Sequence, residues 1–340
     1  MSVGTIQDVA VDVRGLTKHF PVGGGFRRKN RRFIHAVDDV SFTLERSRIM
    51  ALVGESGSGK STIARLLARL YPATSGEVIF KGRNILQLTG PELLTYRSQV
   101  QMVFQDPFGS LNPVKSIEHH IKRPLLIHHQ ADSREVRERI YELLRTVGLT
   151  PPEEVARKLP HELSGGQRQR VAFARALAVN PEVILADEPI SMLDVSIRMG
   201  ILNMMKQLRD EHGLSCLYIT HDLASARYLA EETLVLYAGQ LMEAAPSGEL
   251  MSEPLHPYTR LLLSAVPDPR TSLQKSRVEA RGEIPTIINP APGCRFANRC
   301  PYVMDVCRQV TPGLTEPSPG HRVRCHLYGE GDASLKKPDS

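Results

Sequence analysis

Eight residues constrain this chain more than any others: Gly54-Glu55-Ser56-Gly57-Ser58-Gly59-Lys60-Ser61. They follow an apolar run, Ile49-Met50-Ala51-Leu52-Val53, that reads as a buried strand, and they open a helical pattern from Thr62 to Leu70. The spacing G-x-x-x-x-G-K-S in a strand–loop–helix frame is a phosphate-cradling loop. Its glycines let backbone N–H groups curl around phosphate oxygens, and the helix N-terminus adds a favourable dipole. In that geometry Lys60 reaches the β- and γ-phosphates of a nucleotide and Ser61 ligates Mg²⁺. A chance glycine-rich turn would lack the flanking strand and helix.

The rest of the chain fits an α/β protein. Residues 9–20 and 35–53 read as strands, as do stretches near 76–82, 182–186, 214–219 and 233–237, with a helix near 195–211. Strands alternating with helices predict a mostly parallel sheet. From about 91 to 175 the pattern turns helical and reads as an inserted subdomain. After residue 250 proline becomes frequent and periodicity fades, which predicts a small C-terminal accessory domain over 251–328 behind a nucleotide-binding domain over 9–250. Residues 329–340 read as a disordered tail.

Charge narrows the choice of partners. The formal net charge is +6, but Arg27, Arg28, Lys29, Arg31 and Arg32 supply five positive charges in one stretch. Without them 38 basic residues face 37 acidic ones, so no basic face is expected and nucleic acid is not an expected partner. No apolar run approaches the ~20 residues needed to span a bilayer, and the N-terminus lacks the shape of a secretory signal. The expected location is the cytoplasm, docked on a membrane partner.

Two further motifs sharpen the chemistry. Val183-Ile184-Leu185-Ala186 is an apolar strand ending in Asp187-Glu188. Asp187 suits a second Mg²⁺ anchor, and Glu188 a general base for the attacking water. Leu163-Ser164-Gly165-Gly166-Gln167 precedes a helical stretch and offers free N–H groups to an anion. Placed about twenty residues before the acidic strand, it resembles the signature motif of ATP-binding cassette (ABC) proteins.

That resemblance implies an ABC ATPase fold, a P-loop NTPase with an inserted helical subdomain, and assigns further residues. Gln105 matches the loop glutamine that senses Mg²⁺ and water, so the implied Mg²⁺ set is Ser61, Gln105 and Asp187. Asp194, in Ser191-Met192-Leu193-Asp194, matches the D-loop, and His221 the switch histidine that contacts the γ-phosphate. Phe20 matches the aromatic residue that stacks on adenine, completing an ATP subsite with Gly54, Glu55, Ser56, Gly57, Ser58, Gly59, Lys60, Ser61 and Thr62. The family's mechanism pairs two such domains head to tail, so that Leu163 to Gln167 of one subunit cover the ATP of the other.

Three stretches point to a subfamily: Gln105 to Pro113, His256-Pro257-Tyr258-Thr259-Arg260, and the tail from Gly293 to Pro301. Together they are similar to ATPase subunits of oligopeptide/dipeptide/nickel importers. The resemblance implies a second ATPase subunit (a different chain, or a second copy), two transmembrane permeases and an extracytoplasmic solute-binding protein. The chain departs from many relatives at Ile190, Ser191 and Met192, and the bulkier Met192 keeps oligosaccharide as an alternative cargo to peptide; the family resemblance itself keeps nickel as another. An ABC ATPase acting on nucleic acid or ribosomes is the rival of another class, although the chain has one cassette and no long coiled-coil arm.

Of five cysteines, Cys216 lies in an apolar run and reads as core. Cys294, Cys300, Cys307 and Cys325 cluster with spacings C-x5-C, C-x6-C and C-x17-C. In a cytosolic protein such clustering suggests metal rather than disulfides. Four thiolates suit a [4Fe–4S] cluster or zinc, the resemblance implies a cluster in some relatives, and reduced thiols packing a small domain are the third reading. His321 and His326 lie close enough in sequence to act as substitute ligands.

Overall fold

The computed structural model describes residues 8–22, 32–130, 132, 135–265 and 287–329. The basic stretch of Arg27 to Arg31 and the tail beyond Gly329 lie outside the described residues.

The strands are β1 (Val9–Val22), β2 (Arg32–Glu45), β3 (Ile49–Val53), β4 (Ser75–Phe80), β5 (Arg83–Asn84), β6 (Val100–Val103), β7 (Val183–Asp187), β8 (Ser215–Thr220), β9 (Glu232–Tyr237), β10 (Gln240–Pro246), β11 (Thr315–Ser318) and β12 (His321–Val323). The main sheet has the order β11-β12-β10-β9-β3-β8-β7-β6. Its β9-β3-β8-β7-β6 portion is parallel, and the β9/β10, β10/β12 and β11/β12 pairs are antiparallel. A second, antiparallel sheet has the order β2-β1-β4-β5.

The central strands are apolar along their whole length because both faces are covered. On β3, Ile49, Ala51 and Val53 enter one core while Met50 and Leu52 enter the other. Ile184 and Ala186 of β7 likewise oppose Val183 and Leu185. The period of two thus persists inside a sequence with no polar alternation. One core lies against the antiparallel sheet and α1 (Lys60–Leu67). The other is covered by helices, among them α4 (Ile117–Ile127), α5 (Val136–Thr146), α6 (Pro152–Arg157), α7 (Gly165–Leu177) and α8 (Val195–His212). The remaining helices are α2 (Gly90–Gln99), α3 (Pro107–Ser110), α9 (Leu223–Leu229), α10 (Ser247–Ser252), α11 (Pro257–Ser264) and α12 (Asp305–Gln309).

Two expected boundaries shift. The helical stretch over 91–175 is interrupted by β6, which pairs with β7 in the main sheet, so the inserted helices begin after Val103. Only Val100 to Val103 spoke for a strand there, too short a run to break a helical reading. Among the described residues, the C-terminal stretch packs onto the nucleotide-binding part. β12 pairs with β10 (Glu243↔Val323, Ala244↔Arg322), and Tyr258, Leu261 and Phe296 enter the same core as the parallel strands. Residue 250 itself falls inside α10.

Candidate active site

The parallel strands all point the same way, so motifs at their C-terminal ends meet. The phosphate loop leaves β3, Gln105 follows β6, Asp187 ends β7 and His221 follows β8. They meet at a cavity of about 910 Å³ whose lining includes Glu55, Lys60, Ser61, Gln105, Glu188 and His221.

The loop's glycines are there for space as well as torsion. A Cβ at Gly54 would lie 2.2 Å from the Leu236 carbonyl oxygen. At Gly59 it would lie 2.2 Å from the Ala36 carbonyl oxygen, with φ at +105°. Only glycine fits either position. Gly57 is also left-handed (φ +79°) but faces open space.

Lys60 is 4% exposed. Its Nζ donates to the carbonyls of Gly54 (2.7 Å) and Glu55 (2.9 Å), so the loop curls around its own lysine. Burial pulls the lysine pKa down, against the opposing pull of Glu188, Asp187 and Glu55. Ser61 Oγ donates to Asp187 Oδ1 at 2.7 Å. Asp187 is 2% exposed, and burial raises its pKa while the Ser61 hydrogen bond works against that rise. The Ser61 hydroxyl and Asp187 carboxylate, side by side, are hard oxygen donors of the kind Mg²⁺ prefers, and Gln105 lines the same cavity as Ser61. When bound, the ion would neutralise charge on the terminal phosphates.

Glu188 has φ +45°, a left-handed conformation unusual for a non-glycine residue. Its backbone N–H donates to the Ile219 carbonyl (2.9 Å), which fixes the turn. Gln105 Nε2 donates to Glu188 Oε2 at 3.2 Å, and His221 Nδ1 lies 3.3 Å from the same oxygen. Gln105, Glu188 and His221 are therefore one contact group.

Ser56, Gly57, Gly59 and Thr62 also line the cavity, and Gly54 and Ser58 are buried in the loop wall. Phe20 does not line it. Its ring packs edge-on against Tyr71 at 5.7 Å, and it pairs across the strands with Ile34, which does line the cavity.

Leu163 to Gln167 lie away from the cavity lining. Ser164 caps α7 in a reciprocal box: its Oγ accepts from Gln167 N (3.3 Å), and Gln167 Oε1 accepts from Ser164 N (3.0 Å). A Cβ at Gly166 would come within 2.5 Å of Ile197 Cγ2, so this glycine seats α7 against α8. Asp194, exposed, begins α8.

Sequence reasoning missed the contacts made by the C-terminal stretch. Tyr258 Oη accepts the Glu55 N–H (3.0 Å), and Arg299 forks onto the Glu55 carboxylate at 2.7 and 3.0 Å. Arg295 holds the Asp38 carboxylate and the Ala238 carbonyl. Arg295 and Arg299 are two arginines with no acidic neighbour in a cysteine-bearing turn, a signal pointing to distant partners but not saying which. His321 is no spare ligand, because both ring nitrogens are engaged: Nε2 with Glu243 Oε1 (2.7 Å) and Nδ1 with Glu249 Oε1 (2.9 Å). His326 Nε2 lies 2.9 Å from the Val310 carbonyl oxygen. Among the described residues, three ligating atoms within 4.8 Å of one another occur at His19, His35 and Asp38, where the Arg295 guanidinium already satisfies the carboxylate.

A phosphate loop, a strand-end carboxylate pair and a capped glycine motif over a parallel sheet define an ATPase of the cassette type. Residues 37–191 match the ABC transporter family, and residues 242–307 match the oligopeptide/dipeptide transporter C-terminal region. The chain is 44% identical to the oligopeptide transport ATP-binding protein AppF of Bacillus subtilis (strain 168), over 95% of this chain and 98% of that one. It is 42% identical to the dipeptide transport ATP-binding protein DppF of Haemophilus influenzae, over 92% and 94%. A dimeric ATP-binding cassette solved in a post-hydrolysis state with ADP and phosphate superposes with a TM-score of 0.61 at 31% identity, over 70% of this chain and 98% of that one. The chain belongs to the ATP-binding subunits of ABC transporters, and its ATP hydrolysis is coupled to transport. Among the described residues no helix is long and apolar enough to cross a membrane.

Proposed function

We propose that this chain drives uptake of di- and oligopeptides from the cytoplasmic face of a membrane, as one of two ATPase subunits beneath two permeases fed by a solute-binding protein. The observation that carries the catalytic part is the single contact group of Gln105, Glu188 and His221 beside the Ser61–Asp187 pair. Glu188 takes the proton of the attacking water. Gln105 and His221 orient that carboxylate, and His221 reaches the terminal phosphate. Lys60 turns from the loop carbonyls to the β- and γ-phosphates, and Ser61, Gln105 and Asp187 would hold Mg²⁺. Phosphoryl transfer of this kind is mostly positioning and charge stabilisation. Leu163 to Gln167, away from the chain's own cavity, cover the ATP of the paired subunit, with Asp194 at the same junction.

The peptide cargo rests on the names of the relatives and on the matched C-terminal region. For the four C-terminal cysteines we favour an iron–sulfur cluster. Cys294, Cys300 and Cys325 have pKa values raised first by burial, with other thiols of the group adding to the rise, so the four share one neighbourhood. Iron and acid-labile sulfide in anaerobically purified protein test this reading; zinc alone would overturn it.

Glu188→Gln should cut ATP hydrolysis at least ~100-fold while ATP binding persists. Undiminished hydrolysis would remove Glu188 as the base. Affinity purification from detergent-solubilised membranes tests the assembly. Two polytopic permeases and a peptide-binding protein should accompany the chain; ribosomal or DNA-bound partners alone would overturn the transport reading.

A further inference from the structure

Every polar group of Glu55, the first residue after Gly54 in the phosphate loop, is held. Its carbonyl accepts from Lys60 Nζ, its N–H donates to Tyr258 Oη, and its carboxylate takes both terminal nitrogens of Arg299. Two of these three grips come from the C-terminal stretch, more than 200 residues away in sequence. The Arg299 side chain is 6% exposed and its guanidinium lies 5.7 Å from the Tyr237 ring and 5.9 Å from the Phe296 ring, so the fork is fixed from behind. A second tie runs through the β9–β10 turn. Gly239 N–H donates to the Ser58 carbonyl (2.8 Å), and Arg295 holds the neighbouring Ala238 carbonyl. Arg295 and Arg299 both lie between Cys294 and Cys300.

The consequence follows from what the lysine must do. To meet phosphate, Lys60 has to loosen its hydrogen bonds to Gly54 and Glu55, which leaves the longer Ser58 N–H contact (3.3 Å) as the brace on the Glu55 carbonyl from within the loop. A loop braced only by its lysine would then pay for nucleotide binding with its order. Tyr258 and Arg299 keep Glu55 in place when the lysine leaves. Preorganisation of this sort raises affinity by lowering the cost of ordering. We propose that Arg299 is a positioning residue of the ATP site, acting through Glu55, and that the cysteine-bearing turn thereby sets the affinity of the phosphate loop for ATP. The proposal rests on the assignment of that loop as the ATP site.

The test is equilibrium binding of Mg-ATP to the purified full-length chain, with steady-state hydrolysis alongside. Arg299→Gln should weaken ATP binding about tenfold, the loss expected for a bidentate charged contact, and the loss should fall on KM rather than kcat. Arg299→Lys, which keeps the charge but not the fork, should recover part of it. Glu55→Gln should match Arg299→Gln, and the double variant should be no weaker than the worse single one, because both remove the same pair. If Arg299→Gln does not fold, Glu55→Gln alone carries the reading. Wild-type affinity in both single variants, or additive losses in the double, would overturn the positioning role and leave the ATP site intact. Failure of the wild-type chain to bind ATP would instead overturn the site assignment itself.

Discussion

The phosphate loop and the cysteine-bearing turn are both short, irregular segments, and they meet at Glu55, yet they are built in opposite ways. Within the loop itself, shape comes from glycines where a Cβ would strike the Leu236 and Ala36 carbonyls, a lysine folded back on the loop's own carbonyls, and α1 starting at Lys60, with Tyr258 and Arg299 added from outside at Glu55. The turn takes its shape from distant partners: Arg295 on Asp38, Arg299 on Glu55, and Phe296 against Tyr237 and Tyr258 at 5.3 and 5.4 Å. A segment defined locally can be broken by one added methyl group. A segment defined by packing should fail through its anchors.

The largest effect is expected at Gly59. Gly59→Ala places a methyl group 2.2 Å from the Ala36 carbonyl oxygen at φ +105°, and ATP affinity should fall about 1,000-fold or more. Gly57→Ala is the control that separates torsion from clash. It shares the left-handed torsion but meets open space, so it should cost only about 1–2 kcal/mol. Binding isotherms of the two variants should therefore differ clearly; equal losses would mean that torsion alone shapes the loop.

For the turn, Phe296→Ala should remove about 3–5 kcal/mol of stability, the range for a buried phenylalanine. Phe296 is 1% exposed and packs on both tyrosines, one of which receives the Glu55 N–H. Denaturant unfolding measures the loss. ATP binding should weaken as well, because the shelf behind Arg299 is gone. A destabilised variant that still binds ATP with wild-type affinity would separate the turn's packing from the loop.

The same contrast explains what could be read in advance. Lys60, Ser61, Gln105, Asp187, Glu188 and His221 were legible because each sits at or just beyond a strand end in a parallel sheet, where chain order converts directly into proximity. The near-continuous apolar runs of β3, β7 and β8 announced strands buried on both faces. The C-terminal stretch offered no such code. β11 and β12 have four and three residues, too short for a period, and β12 joins the sheet beside β10 across some eighty intervening residues. The fork of Arg299 onto Glu55 spans 244 residues, and no local pattern marks a single ion pair. Phe20 was named from its motif position alone; its ring packs on Tyr71, while the neighbouring strand supplies Ile34 to the cavity.

The smallest expected effect lies at the far end of the tail and depends on pH. His321 is 1% exposed, with Glu243 and Glu249 each on one ring nitrogen, an arrangement that suits the doubly protonated ring between two carboxylates. Burial by itself would lower its pKa, but the hydrogen bonds and charges of the two carboxylates prevail and raise it above 6.5. A histidine with a raised folded pKa contributes stability that is fully present below its unfolded pKa. That contribution is lost as pH rises from about 6.5 through the higher folded value. Glu243 also accepts from the N–H groups of Leu255 and His256 (2.7 and 2.9 Å), so the cluster ties the β11–β12 hairpin to the segment leading into α11 and Tyr258. Thermal melts of the wild type and His321→Gln across pH 6 to 9 should therefore converge as pH rises, the wild type losing the advantage it holds at the acid end. Parallel curves would mean that the ring's packing, and not its charge, anchors the hairpin.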